Sequence, residues 1–292
     1  MSAPQPNGAI SLQRARPEDA AECGRICYEA FRTINAEHNF PPEMPGPEVG
    51  VAILEAMFSH PSFFAVVARH GGKIIGSNCM DERGSIFGIG PITVDPSAQN
   101  FGTGKFLMQA VLDRAAEKKA AGVRLVQAAF HRRSLSLYTK LGFDVQEPLA
   151  TMNGPAITKS LADYTVRAAM ETDLAACDRL CFRVHGHTRS GELADALKQG
   201  NAKVVERQGR ITAYSSALAY FGHSVGETNE DLQALIASAD AFGGPGILIP
   251  MRNSGLFRWC LDHGLRVVTP MTLMSMGLYS EPAGAWLPSI LY

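Results

Sequence analysis

The chain repeats itself. A segment with Cys23, Arg25, Cys27 and Tyr28 is answered by one with Cys177, Arg179, Cys181 and Phe182, and Asp19 ahead of the first is answered by Asp173 ahead of the second. Just upstream, Arg14-Ala15 reads as the partner of Arg167-Ala168. Further on, KLGFDV at 140–145 is answered by DHGLRV at 262–267, which sets Gly142 opposite Gly264. Two landmarks in the same order predict duplication of a whole domain. The stretch TMNGPAITKS, 151–160, is rich in small, turn-forming residues and is the expected boundary, giving domains at 8–150 and 160–292.

The cysteines belong to the same pattern. Cys23 with Cys27 and Cys177 with Cys181 are each one helical turn apart, where small apolar side chains share a buried face. With no Cys-x-x-Cys pair and no His at zinc spacing, all six thiols read as reduced core residues, and no metal is expected. Lys and Arg number 27 against 28 Asp and Glu, without the basic run that nucleic-acid binding needs. No apolar run reaches the roughly eighteen residues of a membrane span. The start, MSAPQPNGAI, lacks a basic region followed by an apolar one. The expectation is a cytoplasmic protein with neither nucleic acid nor membrane as partner.

In the first half the periodicity predicts a strand near 10–14, helices over 18–33 and 48–59, and strands over 63–69, 73–80 and 85–94. A helix over 104–120, a strand over 123–130, a short helix from Ser134 and a last strand over 143–152 follow. Consecutive strands followed by β-α-β mark a mixed α/β order. The fourth strand ends at Val94 and runs through Asp95-Pro96 into Gln99-Asn100-Phe101-Gly102-Thr103-Gly104, which opens the next helix. Backbone N–H groups gathered at a helix N-terminus favour an anion. Glycine there permits positive φ and close approach of a phosphate. The loop is not a Walker sequence, because no Gly stands five residues before Gly104.

With Val94, Pro96, Gln99, Gly102 and Gly104 at their spacing, the chain resembles the GCN5-related N-acetyltransferase (GNAT) superfamily, whose signature is strand, Val-x-Pro-x-x-Gln/Arg-x-x-Gly-x-Gly/Ala, helix. A second motif of that family is similar to His131 through Ser134, Leu137, Tyr138, Lys140, Gly142 and Phe143, except that the family usually has Asn at the position of His131 and Ala at that of Ser134. The resemblance covers about 8–150. It implies a mixed α/β fold of two tandem GNAT-like domains, each a mixed, mostly antiparallel sheet flanked by helices.

It further implies acetyl-coenzyme A as donor, with its pyrophosphate on the amides of Gln99, Asn100, Phe101, Gly102, Thr103 and Gly104 and with Lys105 beside them. Ile92 and Val94 on the strand, and His131 and Ser134, complete the implied cofactor contacts. The Val94 N–H would polarise the thioester carbonyl, and Tyr138 would protonate the departing thiolate. The implied acceptor is a primary amine of a small metabolite or amino-acid-like molecule. Glu37, His38 and Phe40 in the loop AEHNFPPEMPGP, with Asp81 and Glu82 at a turn, are the candidates for contacting it. The general base stays open among Glu37, His38, Asp81, Glu82 and His131. Alternatives are a protein lysine or N-terminal acetyltransferase and a non-catalytic acyl-coenzyme A-binding regulator; a homodimer is also open.

The second half lacks the corner. Its counterpart, GETNEDL, has no Gly-x-Gly, and Glu227, Glu230 and Asp231 stand at the helix start, where carboxylates would satisfy the dipole and repel a pyrophosphate. Cys260 takes the position of Tyr138, and Asn253, opposite His131, reads as a helix cap. The end, AWLPSILY, reads as a core strand or as the lining of a cleft. A copy without a cofactor site is expected, with a structural or specificity-setting role. Gly102→Glu should abolish acetyl-coenzyme A binding and leave the fold intact, because a charged side chain would crowd the amides. Unchanged affinity by calorimetry would contradict the loop assignment.

Overall fold

In the computed structural model, which describes residues 9–99, 101–159 and 161–292, the chain forms two compact units. One takes in the chain up to Asp81 together with Ile89–Lys119; the other is Glu82–Gly88 with Ala120–Tyr292. No helix among the described residues is long and apolar enough to cross a membrane.

The first unit is a twisted antiparallel ribbon with helices against it. Strand β1 (Ser11–Arg14) pairs antiparallel with β2 (Phe63–His70), β2 with β3 (Lys73–Asp81), and β3 lies beside β4 (Ile86–Val94). Helix α1 (Ala20–Glu37) buries Cys23, Ile26 and Cys27 at i, i+3 and i+4, as the spacing predicts. It crosses α2 (Pro47–Ser59) with almost no separation: a Cβ on Gly24 would stand 2.3 Å from the Val51 Cα, and one on Gly50 would stand 2.5 Å from the Gly24 oxygen. Only glycine fits at that crossing. Helix α3 (Thr103–Glu117) turns Leu107, Met108, Val111 and Ala115 inward, and Asn78 on β3 donates to the Leu107 carbonyl at 3.3 Å.

In the second unit, β5 (Gly122–Ala128), α4 (Arg132–Lys140) and β6 (Asp144–Asn153) lead into β7 (Thr165–Ala168), α5 (Leu174–His185), α6 (Ser190–Lys198), β8 (Lys203–Arg207) and β9 (Arg210–Ser215). Then come β10 (Ser224–Gly226), α7 (Asn229–Ala237), β11 (Ile247–Pro250), α8 (Ser254–Asp262), β12 (Arg266–Gly277) and β13 (Ala285–Leu287). One sheet runs β13-β10-β9-β8-β7, so the end of the chain does complete a sheet. The other carries the order β5-β12-β6-β11. Strand β12 thus lies between β5 and β6, and β6 between β12 and β11.

This interleaving obeys the repeat. Gly142 and Gly264 are 122 residues apart, and both adopt positive φ, 99° and 91°. Applying that offset to the pair Ala128–Met271 gives Pro250–Leu149, which is also a registered pair, and the pair Leu149–Met271 maps onto itself. A pseudo-twofold axis therefore passes between Leu149 and Met271. The compact units consequently do not coincide with the two halves of the repeat, because β6 is built into ladders with strands from the second half.

The first landmark is conserved in geometry with one change of register. Asp19 accepts from the Arg16 N–H at 3.0 Å, and Asp173 from the Met170 N–H at 2.8 Å. Ala15 N–H donates to Ala65 and Ala169 N–H to Ala202, so Ala15 answers Ala169 rather than Ala168. The two arginines are not counterparts: Arg14 donates to the Phe63 carbonyl, whereas Arg167 grips Asp173, whose counterpart Asp19 is held instead by Arg69 at 2.5 Å. Of residues 217–225, which alternate like a strand, only Ser224 and Val225 are strand, at the start of β10. Residues before it form a pinched loop, closed by Ser216 N–H to the His223 carbonyl and His223 N–H to the Ser216 hydroxyl, both at 2.9 Å.

That loop is pinned by a buried polar chain. Arg189 donates to Glu192 at 2.5 Å, Glu192 faces His223 Nδ1 at 2.9 Å, and His223 Nε2 meets the Tyr214 hydroxyl at 2.9 Å. Burial alone would raise the Glu192 carboxyl, but Arg189 and His223 hold it well below its ordinary value of 4.5. Ionised Glu192 therefore stabilises the native state above that ordinary value, and the contribution is lost as pH falls below it towards the lower native value. Glu192→Gln should cost about 3 kcal/mol or more near neutrality, since it leaves Arg189 without its partner. The thermal midpoint of the variant should also fall less steeply between about pH 5 and 3. Parallel acid limbs in variant and parent would contradict this assignment.

Candidate functional site

The glycine corner lies in the first unit. Asp95 ends β4 by accepting from the Ser97 N–H at 2.8 Å and the Ser97 hydroxyl at 2.7 Å, and its own N–H is held by the Ile75 carbonyl. A short helical turn, Pro96–Ala98, leads to Gln99; Asn100 lies outside the described residues. Gly102 then adopts φ 78°, a left-handed geometry that suits glycine, and its carbonyl receives the N–H groups of Lys105 and Phe106. The amides of Thr103 and Gly104 precede that first closed turn.

No acidic residue occupies the first turn of α3, so nothing there cancels its positive end. Thr103 is only 2% exposed, yet its hydroxyl has no hydrogen-bond partner among the described residues. Phe101, 71% exposed, and Phe106 stand at the rim. Along β4, Ile92 and Val94 are half-buried, and between them the buried Thr93 hydroxyl is likewise unpartnered. The ladder of β4 with β5 covers Ile86–Gly88, so from Ile89 to Val94 that edge of β4 has no ladder partner among the described residues. Backbone groups left out of a ladder need another acceptor or donor.

The acceptor-side residues separate. Glu37 is the exposed last residue of α1, not part of a loop, and His38 caps that helix with Nδ1 2.9 Å from the Ile34 carbonyl. Phe40 is half-buried beside them, its N–H on the Asn35 carbonyl at 2.9 Å, while Asn35 Nδ2 donates to Pro41 at 3.0 Å and folds the loop against the helix end. Asp81 is buried at the end of β3, across the ladder from Phe63. Glu82 falls in the second unit. Glu37, His38 and Phe40 therefore lie together at the end of α1, and Asp81 lies at the end of β3.

In the second unit α4 carries the other motif. Tyr138 is 6% exposed, packed edge-on against Phe143, and its phenol is pushed up to about 12 by burial, partly offset by a hydrogen bond with Ser134. At neutral pH it is a phenol holding its proton. Ser134 Oγ also lies 2.7 Å from His131 Nδ1. These three residues sit at i, i+3 and i+7, a spacing that could have disclosed their contact from the sequence; the unpartnered Thr103 hydroxyl had no such signal.

The second copy differs at each matching point. Asn253 caps α8 by accepting from the Leu256 N–H, and Cys260 is fully buried with its thiol pushed up to about 12. At the start of α7, Thr228 and Asp231 close a reciprocal capping box, and Glu227 is held by Arg210 at 2.5 Å and Arg183 at 3.0 Å. The carboxylates satisfy that helix end from within.

Residues 29–143 match the acetyltransferase (GNAT) family. The chain is 28% identical over 146 residues to mycothiol acetyltransferase from Nocardia farcinica (strain IFM 10152), a match covering 47% of this chain and 46% of that protein. It thus spans about half the length of this curated relative. A proposed acetyltransferase from Pyrococcus horikoshii is similar in fold, with a TM-score of 0.72 at 17% identity over 94% of each chain. A tandem GNAT protein from the clavulanic acid biosynthesis pathway is similar at a TM-score of 0.55 and 11% identity, over 96% of this chain and all of that one.

Proposed function

We propose that this chain, which carries a domain of the acetyltransferase (GNAT) family, is an acetyl-coenzyme A-dependent N-acetyltransferase whose acceptor is the primary amine of a small, amino-acid-like metabolite. The observation that carries this reading is the corner at Gly102–Gly104, with its left-handed glycine, its uncancelled helix end and the unpartnered hydroxyl of Thr103. These groups fit a pyrophosphate. The amides of Thr103 and Gly104 precede the first closed turn and can donate to a phosphate oxygen, and no carboxylate stands among the first residues of α3.

When bound, acetyl-coenzyme A supplies an acetyl group activated as a thioester. Gln99 and Phe101 to Lys105 would hold its phosphates, and the edge of β4 from Ile92 to Val94, which has no ladder partner among the described residues, would hold its amide-bearing arm. The Val94 N–H is the proposed donor to the acetyl carbonyl oxygen. Tyr138 keeps a proton throughout the neutral range and is the proposed acid for the departing sulfur. The second half is proposed as a copy that supports the first without binding cofactor, and 8–150 and 160–292 are proposed as the units of duplication. The curated relative's name couples acetylation to mycothiol and not to a protein, which supports a small acceptor.

Free thiol release from acetyl-coenzyme A, followed with a panel of amines, amino acids and lysine peptides, tests the reading. Turnover with a small amine is expected. Tyr138→Phe, which keeps the ring, should lower turnover by about 10²-fold with cofactor affinity held. Cofactor binding without transfer to any amine would replace the enzyme by an acyl-coenzyme A-binding regulator, and transfer confined to peptides would move the acceptor to protein.

A further inference from the structure

Three arginines of the second unit are largely withdrawn from solvent, and one of them has no carboxylate partner among the described residues. Arg83 pairs with Asp195 at 3.2 Å and Arg189 with Glu192 at 2.5 Å. Arg124 on β5 is the most deeply buried of the three, 1% exposed, and its Nε and Nη2 have no hydrogen-bond partner among the described residues. Those two nitrogens share one edge of the guanidinium, the edge that takes both oxygens of a carboxylate side by side.

Aromatic stacking does not satisfy that edge. The Tyr292 ring centre lies 3.8 Å and the Tyr279 ring centre 5.0 Å from the Arg124 guanidinium carbon, which attracts the cation to the rings but leaves its in-plane N–H groups without acceptors. Tyr292 is fixed in place. Its hydroxyl meets His187 Nε2 at 3.1 Å, and a Cβ on Gly88, the residue registered with Arg124 across the β4–β5 ladder, would overlap the Leu291 carbonyl. Arg189 shares the Tyr292 ring, at 4.6 Å. Burial and then Arg189 pull Arg124 down to about 9, so it is still a cation at neutrality. The Tyr279 hydroxyl is also buried without a partner.

The duplicated scaffold does not call for an arginine here. With the offset of 122 residues the matching position is Gly246, whose lack of a side chain makes room for the Met152 carbonyl. A buried cation with an unsatisfied donor edge is costly, and an anion of matching shape removes that cost.

We propose that Arg124 binds the carboxylate of a small molecule, with Nε–H and Nη2–H donating in parallel to its two oxygens beside the rings of Tyr279 and Tyr292. The inference rests on the acceptor reading above only for the identity of the guest, an amino-acid-like acceptor. A carboxylate suits the site better than a phosphate, because the fork supplies two donors in one plane and the other two arginines are already paired. Tyr279 is half-buried in the connection from β12 to β13, outside any ladder, and is the ring that moves to admit the guest.

The test reads Arg124 itself in the full chain. Its Nε–H resonance, identified by its contacts with the Tyr292 ring, should move saturably with acetate or L-alanine and stay still with acetamide or L-alaninamide. Arg124→Lys keeps the charge and loses the fork; it should raise KM for an amino-acid acceptor about 10- to 100-fold, with KM for the acceptor's amide and for acetyl-coenzyme A within about twofold. A resonance blind to both carboxylates, equally sensitive to the amides, or answering inorganic phosphate more strongly than either carboxylate would overturn the assignment, whether or not Arg124→Lys folds. Transfer to no amine with the carboxylate response intact would support the site and overturn only the acceptor as its guest.

Discussion

Strand β6 is hydrogen-bonded along both edges by strands from the other half of the repeat, and much of the second unit depends on that. Its partners are β12 on one side and β11 on the other, while β12 is in turn shared with β5. Ladder bonds on both edges leave neither strand an open edge. Leu149 and Met271, the pair on the pseudo-axis, are both buried in the same apolar cluster as Leu248 and Leu273. Shifting either strand by one residue would turn these side chains to the opposite face. The helix bearing Tyr138 enters this ladder through Gly142, with the Phe143 N–H on the Tyr138 carbonyl at 3.0 Å, so the phenol is placed by the central strand itself.

On a shared scaffold the two copies part chemically at a few positions. One helix start keeps glycine, no acid and an unpartnered hydroxyl; the other has built its own carboxylate cap. One short helix presents a buried phenol and a serine against histidine, while its copy presents a buried thiol and leucine. The second half carries ion pairs such as Arg210 with Glu227 near its capped helix start, and elsewhere the buried Glu192–His223 contact. Arg124 on β5 is a further buried charge, only 1% exposed, which lies 3.8 Å from the Tyr292 ring centre and is pulled down to about 9 by its burial.

Much of this was legible in the sequence, because it was written in short-range spacing. Cys23, Ile26 and Cys27 gave the buried face of α1, and Gly102 and Gly104 gave the corner. Placing Glu37 in a loop failed because α1 continues to Glu37, while His38 stands in the turn that follows, which the Asn35 side chain ties to the helix end. The interleaving of β6 and β12 was invisible, since period-two alternation marks a strand but not its partner. Arg124 and Glu192 were also hidden: a charged residue in a strand or short helix reads as solvated until its neighbours are known. The match of Arg14 with Arg167 misled by one residue, since two arginines one position out of register look like counterparts.

The central claim is that a duplicated fold retains one cofactor corner, in its first half. Calorimetric titration of the full chain with acetyl-coenzyme A measures this directly. The account predicts one molecule bound per chain; two per chain, or none, would contradict it.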